Sequence, residues 1–274
     1  MASTLWDDYQ VTPVEVALPG GKVGLTLRAY RPASELTPTD VSDREDDDDV
    51  FAAKDSRRPI PGLADDEEMP EFVWTKEALD EVAAGPAEDE VAERRVEAEE
   101  AADDDDDEAA VSDEEVPAFL SHKGKLLLFA SAKGLADFVR SSAPHDLKQL
   151  EGWSKLAKSV KADDVVAGED DAYELDLVVE NLRGGPDAWD PELVLRAGEF
   201  ARDVSYALRL KPVMVALSPG SPLDDLDEAL RASADGGLGG FFAKRKLRKI
   251  GAEQASIGWR SIIGKISAAV DWRD

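Results

Sequence analysis

Hydrophobic and polar residues alternate twice near the start of the chain, on either side of a Pro-Gly-Gly-Lys turn. A period of two residues is typical of a strand with one buried face, so residues 1–35 are predicted to form a β-hairpin. Two strands alone are marginal in water, and we expect the carboxy-terminal domain of the same chain, rather than a partner, to cover them. The alternating apolar positions are Val14, Val16, Leu18, Val23, Leu25, Leu27 and Ala29.

A short apolar run and several helical periods follow from residue 116 onward. The run from Lys125 to Ser131 predicts a strand, and Ser131 is a typical N-cap for a helix that carries Leu135 and Val139. Apolar residues at helical spacing predict further helices over 146–161, 171–183, from Pro191, from Pro222, and over 255–270.

The segment 171–183 allows two interpretations. Its apolar residues alternate as in a strand, but they also recur at helical spacing. Asp171 and Glu174 resemble a capping box, and Gly184 with Gly185 can supply a left-handed stop. Because both ends carry helix signals, we favour a helix.

Charge divides the chain into two kinds of segment. The protein has 274 residues and a formal net charge of -28, and residues 36–115 contain 32 acidic against 7 basic side chains. So acidic a stretch with few large apolar residues cannot offset its ordering entropy and is predicted to be disordered. Phe72 and Trp74 within it belong either to a transient helix or to a docking motif.

The predicted fold class is α+β: a mainly helical C-terminal domain (116–274) with a small β-sheet, an N-terminal β-hairpin (1–35) and a long disordered acidic linker (36–115).

The composition argues against several kinds of chemistry. There is no cysteine, and the two histidines, His122 and His145, make a histidine-rich metal site or a catalytic triad improbable. His145 precedes an aspartate and is expected to contribute to a helix cap or a surface hydrogen bond. The glycines at 236–240 follow a helix and fit a hinge better than a phosphate loop. We therefore predict no catalytic residues, no metal, no cofactor and no enzyme activity.

Two features rise above this background. The first is a basic patch, whose main expected partner is an acidic protein or the chain's own acidic arm; nucleic acid, anionic lipid and a merely solvated helix face are the alternatives. The second is an apolar group just after the glycine hinge, which is either ordinary core or a client-binding groove with a movable lip. The basic patch comprises Lys244, Arg245, Lys246, Arg248 and Lys249, and the apolar group comprises Phe241, Phe242, Leu247, Ile250, Trp259 and Ile262.

The order of several segments resembles an actinobacterial family of export chaperones, the SatS family. The segments that carry the resemblance are PVEVALPGG at 13–21, LRAYRPASELTP at 27–38, VPAFLSHKGKLLLF at 116–129, YELDLVVENLRGG at 173–185 and YALRL at 206–210. The resemblance implies a disordered acidic amino-terminal part and a carboxy-terminal domain whose hydrophobic grooves hold unfolded preproteins for an accessory SecA pathway. The acidic spacer here is shorter than in the mycobacterial member.

Three functions compete at this point. An ATP-independent cytosolic holdase explains the apolar group and the acidic arm together, with preproteins and an accessory SecA ATPase as partners. An adaptor of primosome-like nucleic-acid machinery would use the basic patch or the acidic arm, but the folded half is nearly neutral and we do not expect nucleic acid as a partner. An enzyme comes third. The acidic start and the lack of any long apolar run predict no signal peptide and no transmembrane segment, hence a cytoplasmic protein.

Overall fold

A computed structural model describes residues 5–42, 44, 114–234, 247 and 250–274. Most of the predicted acidic linker, including Phe72 and Trp74, lies outside these residues. So do Phe241, Phe242 and all five residues of the basic patch. The first part of the predicted linker, residues 36–42, is described and packs on the folded region.

A seven-stranded mixed sheet organises the described residues. Strands β1 and β2 form the predicted antiparallel hairpin, with Val14 opposite Thr26, so that prediction is confirmed. β2 also pairs with β3 and β5, and β1 pairs in parallel with β6. β5 pairs with β4 and, in parallel, with β7. The hairpin therefore completes a sheet of its own chain. The strands are β1 Thr12–Leu18, β2 Lys22–Pro32, β3 Glu115–Phe119, β4 Ser121–His122, β5 Lys125–Phe129, β6 Ala172–Glu174 and β7 Val270–Arg273.

Helices cover both faces of this sheet. The Ser131 hydroxyl accepts a hydrogen bond from the Gly134 amide at the start of the first helix, as the sequence predicts. The Asp190 carboxylate caps the fourth helix by accepting hydrogen bonds from the Glu192 and Leu193 amides. The helices are α1 Ala132–Arg140, α2 Trp153–Ser159, α3 Leu175–Arg183, α4 Pro191–Ala207, α5 Lys211–Ala216, α6 Pro222–Ala234 and α7 Ala252–Ala268. No helix in the described part of the chain is long and apolar enough to cross a membrane.

The apolar side chains form two clusters, one on each face of the sheet. α1 and α2 pack on one face over Leu127 and Phe129, while α3, α4 and α7 pack on the other over Leu126 and Leu128. Strand β5 reads as a continuous apolar run because both of its faces are covered.

Two predicted helices begin later or break earlier than expected. Within 146–161, Gly152 adopts a left-handed backbone (φ 80°) and separates a 3-10 turn from the shorter helix α2. Within 171–183 no capping box forms, because residues Ala172–Glu174 pair as strand β6 with β1 and the helix starts only at Leu175. The rejected strand interpretation thus holds for the first few residues of that segment.

His145 is buried, which corrects the expectation of a cap or a surface hydrogen bond. The residue is only 6% exposed, and its ring contacts the rings of Phe138 and Trp153, with centroids 5.7 and 4.6 Å away. Neither ring nitrogen has a hydrogen-bond partner. Burial, with the charges of Lys148 and His122, lowers the pKa of His145 to about 4.

This burial makes stability depend on pH in a defined window. In the unfolded state His145 takes up a proton near its ordinary pKa of 6.5, and in the folded state only near 4. Its neutral, buried form therefore costs no stability above pH 6.5, and the free energy of unfolding declines as the pH falls from 6.5 to 4. The loss attributable to His145 should reach about 3 kcal/mol. We expect His145→Leu to flatten the pH dependence of the urea midpoint across this window. Parallel curves for the two proteins would contradict the assignment.

Candidate functional site

The apolar residues singled out in the sequence occupy the core. Leu247, Trp259 and Ile262 are buried in the cluster under α3, α4 and α7, and Ile250 packs against it partly buried. In this structure they are core side chains, which is the alternative that the sequence left open. Any contact between them and a client stays a prediction.

A different apolar concavity opens on the surface, which we call the apolar groove. It has a volume of about 420 Å³ and lies between the segment after β2, strand β3, the 3-10 turn at 146–149 and the ends of α4 and α5. Its apolar lining comprises Ala33, Leu36, Pro38, Val116, Pro117, Ala118, Phe119, Tyr206, Ala207 and Met214.

The end of α4 produces the exposed wall of this groove. Arg209 takes a left-handed backbone (φ 56°), which ends the helix, and α5 begins two residues later. α5 turns Val213 into the core and leaves Met214 40% exposed, beside Tyr206 at 45%. Large apolar side chains grouped on a surface are typical of an interaction site, and methionine adapts to partners of different shape.

Hydrogen bonds hold the segment 37–39, which lines the groove after β2, against the 3-10 turn at 146–149. The Asp146 carboxylate accepts hydrogen bonds from the Thr39 hydroxyl at 2.6 Å and from the Ser121 hydroxyl at 2.7 Å. The Gly124 amide also donates to the Thr39 hydroxyl, at 3.1 Å. Gln149 exchanges two hydrogen bonds with the backbone of Thr37. One wall of the groove is therefore preformed.

Strand β3 supplies another wall, and one of its edges pairs with no strand in the described part of the sheet. The hydrogen bonds from the Leu120 amide to the Leu27 carbonyl and from the Ala33 amide to the Glu114 carbonyl establish which residues face β2. By alternation, the backbone groups of Pro117 face away from β2. Since proline has no N–H, a further strand cannot pair regularly along this edge.

A second, polar concavity, the acidic cleft, has a volume of about 550 Å³. Six carboxylates and three arginines line it, so acidic groups are in excess. The acids are Asp170, Asp171, Glu199, Asp203, Asp224 and Asp227, and the arginines are Arg28, Arg202 and Arg231.

Arg28 is the central cation of this cleft. Its guanidinium contacts Asp171 at 2.8 Å, Asp203 at 3.0 Å and the Tyr173 hydroxyl at 2.9 Å, and the Tyr30 hydroxyl donates to Asp203. Burial raises the pKa of Asp203 above its ordinary value, although these hydrogen bonds and the charge of Arg28 act in the opposite direction. The cluster ties β2 to the β6 region and to α4.

The cleft and the groove are neighbours along two elements. Tyr30 of the cleft lies directly opposite Pro117 of the groove in the β2–β3 register. On α4, Asp203 of the cleft lies about one turn before Tyr206 and Ala207 of the groove. The polar and apolar surfaces therefore meet at a shared boundary.

Comparison with known proteins identifies the family. A family model for the SatS C-terminal domain matches residues 108–267. The chain belongs to the SatS family. No curated protein matches the chain. A solved structure described as the SatS C-terminal domain in complex with bromine aligns with a TM-score of 0.56 at 17% identity, covering 97% of this chain and 96% of that one. At this identity the likeness shows the SatS fold alone.

The part matched by the SatS model contains β3 and the ends of α4 and α5, hence most of the groove. The hairpin lies before the matched residues, yet it contributes Arg28 and Tyr30 to the cleft.

The sequence analysis predicted neither the apolar groove nor the acidic cleft. The sequence signal for the groove is weak, since Met214 stands in a short apolar stretch that reads as core, and Arg28 stands at a position of β2 that the alternation assigns to solvent.

Proposed function

We propose that the protein is an ATP-independent cytosolic holdase that binds unfolded preproteins in the apolar groove and assists their export through an accessory SecA pathway. The observation that carries this proposal is the groove itself, with Tyr206 and Met214 exposed at its rim. Membership of the SatS family and the resemblance of the individual segments support the export role.

An apolar groove suits clients of unrelated sequence. Hydrophobic burial is non-directional and contributes about 25 cal/mol per Å² of apolar surface removed from water, so many sequences gain similar amounts. The sequence contains no Walker pattern, and a groove of this kind needs no nucleotide for binding. Release would then follow from competition by the export machinery or from folding of the client.

Pro117 constrains how a client would bind. Because the edge of β3 cannot add a regular strand at this residue, clients would be held through side-chain contacts in the groove rather than by β-strand addition. Such contacts favour unfolded segments with clustered apolar residues. The net charge of -28 would keep the chaperone–client complex soluble by repulsion between complexes.

The alternative, an adaptor for nucleic-acid machinery, gains no support from the described surface. Its basic patch lies outside the described residues. The acidic cleft has six carboxylates against three arginines, and such a surface repels phosphate.

Aggregation suppression tests the proposal. A denatured secretory protein is diluted into buffer with the full chain and without ATP, and light scattering is followed. We expect the wild type to suppress scattering as its ratio to client rises, and Met214→Glu to need several times more chaperone, because the carboxylate places charge in the groove. Val166→Glu is the matched control, since Val166 is 70% exposed and lies outside the groove. Equal scattering with and without the wild type would overturn the proposal.

A further inference from the structure

We infer that the preferred occupant of the apolar groove is an apolar peptide segment with lysine or arginine on one flank, and that this basic flank lies in the acidic cleft. The inference rests on the proposed function, because it names the class of client segment that the groove selects.

The first support is continuity. An extended segment that places apolar side chains against Tyr206 and Pro117 reaches the Tyr30 and Asp203 boundary without crossing another element, because these residues are neighbours on α4 and across the β2–β3 pair. At about 3.3 Å per residue, a few further residues place the flank inside the cleft.

The second support is charge complementarity. The three arginines of the cleft are already engaged: Arg28 with Asp171 and Asp203, Arg202 with Asp224 and Asp227, and Arg231 with Asp227 and Glu199. Three carboxylates remain in excess over the three arginines. A lysine or arginine flank would offset this excess, whereas an acidic flank would add to it.

Two of these acids are accessible to a ligand. Asp170 is exposed, and the Glu199 side chain is 55% exposed, with its carboxylate 3.6 Å from the Arg231 guanidinium. Neither belongs to the buried Arg28 cluster, so both can be neutralised without dismantling the fold.

The groove carries positive charge at its end away from the cleft, beyond the end of α4. The exposed Arg209 lines the groove at that end. A second basic flank would meet this positive charge, and we therefore expect one basic flank to be preferred over two.

The experiment uses three labelled peptides with one apolar core and a flank of lysines, of glutamates or of glutamines, titrated with the full chain by fluorescence anisotropy. We expect the lysine peptide to bind roughly three- to ten-fold more tightly than the glutamine peptide at low salt, and the glutamate peptide more weakly than both. Added salt should reduce this preference, because screening acts on exposed charges.

A pair of variants locates the preference. Asp170→Asn with Glu199→Gln should remove most of the gain of the lysine peptide and leave binding of the glutamine peptide unchanged. Glu151→Gln with Glu253→Gln removes the same charge at exposed positions outside both concavities and should have no such effect. An equal loss in both double variants would assign the preference to overall charge and overturn the inference.

Client holding and the preference for a basic flank can be lost independently. If the glutamine peptide binds and Met214→Glu weakens it, but lysine flanks add nothing, the inference is wrong and the proposed function stands. If none of the three peptides binds, the proposed function fails and the inference fails with it.

Discussion

Replacing Arg28 with methionine is expected to lower the free energy of unfolding by about 3–5 kcal/mol, because it leaves the carboxylates of Asp171 and Asp203 partly buried without their cation. Arg28 is only 9% exposed, and its partners lie in separate parts of the chain. The loss should therefore appear as a cooperative decrease in the urea midpoint of the whole fold.

Two comparisons sharpen this test. Lys133→Met breaks an exposed ion pair with Asp137 on α1 and should leave the urea midpoint almost unchanged, because solvent screens exposed pairs. The difference between wild type and Arg28→Met should also shrink at acidic pH, because burial already raises the pKa of Asp203 and protonation removes the unpaired charge. A loss no greater than that of Lys133→Met would contradict the buried cluster.

Replacing Trp259 with alanine is expected to lower the free energy of unfolding by about 3–5 kcal/mol, the usual range for truncating a large buried aromatic side chain. Trp259 is 2% exposed on α7, inside the cluster shared with α3 and α4. Thermal unfolding monitored by circular dichroism should show a much lower midpoint.

Tyr206→Ala is the matched change at an aromatic residue of the groove. Because Tyr206 is 45% exposed, its removal should change stability by less than about 1 kcal/mol while reducing client holding. If Trp259→Ala instead leaves stability intact and abolishes holding, Trp259 belongs to a client surface and not to the core.

Local patterns predicted the elements whose signals are contained in a few neighbouring residues. The hairpin follows from alternation around Gly20 and Gly21, and α4 follows from the Asp190-Pro191 start and its apolar stripe. β5 and α1 follow from an apolar run next to the Ser131 cap.

Elements that depend on distant pairing escaped prediction. β6 and β7 are three and four residues long and exist because β1 and β5 offer them an edge. Arg28 and Thr26 alternate with apolar neighbours as if they faced water, yet both are buried, and Arg28 contacts Tyr173 of β6 and Asp203 of α4.

The groove could not be predicted for the same reason. Its walls come from Leu36, from residues 116–118 and from residues 206–214, which only the tertiary fold brings together. The sequence instead favoured the apolar residues clustered after the glycine hinge, and the described members of that group pack mainly into the core. The family resemblance rests on whole segments rather than on one site, and the SatS model match confirms it.

Site-specific photo-crosslinking tests most directly whether the apolar groove holds unfolded protein. A photoreactive amino acid is placed at Met214 in one sample and at Val166 in another, and each is irradiated with a denatured client without ATP. We predict strong crosslinks from position 214 that disappear once the client has folded, and only background from position 166. Equal crosslinking from the two positions would contradict the account.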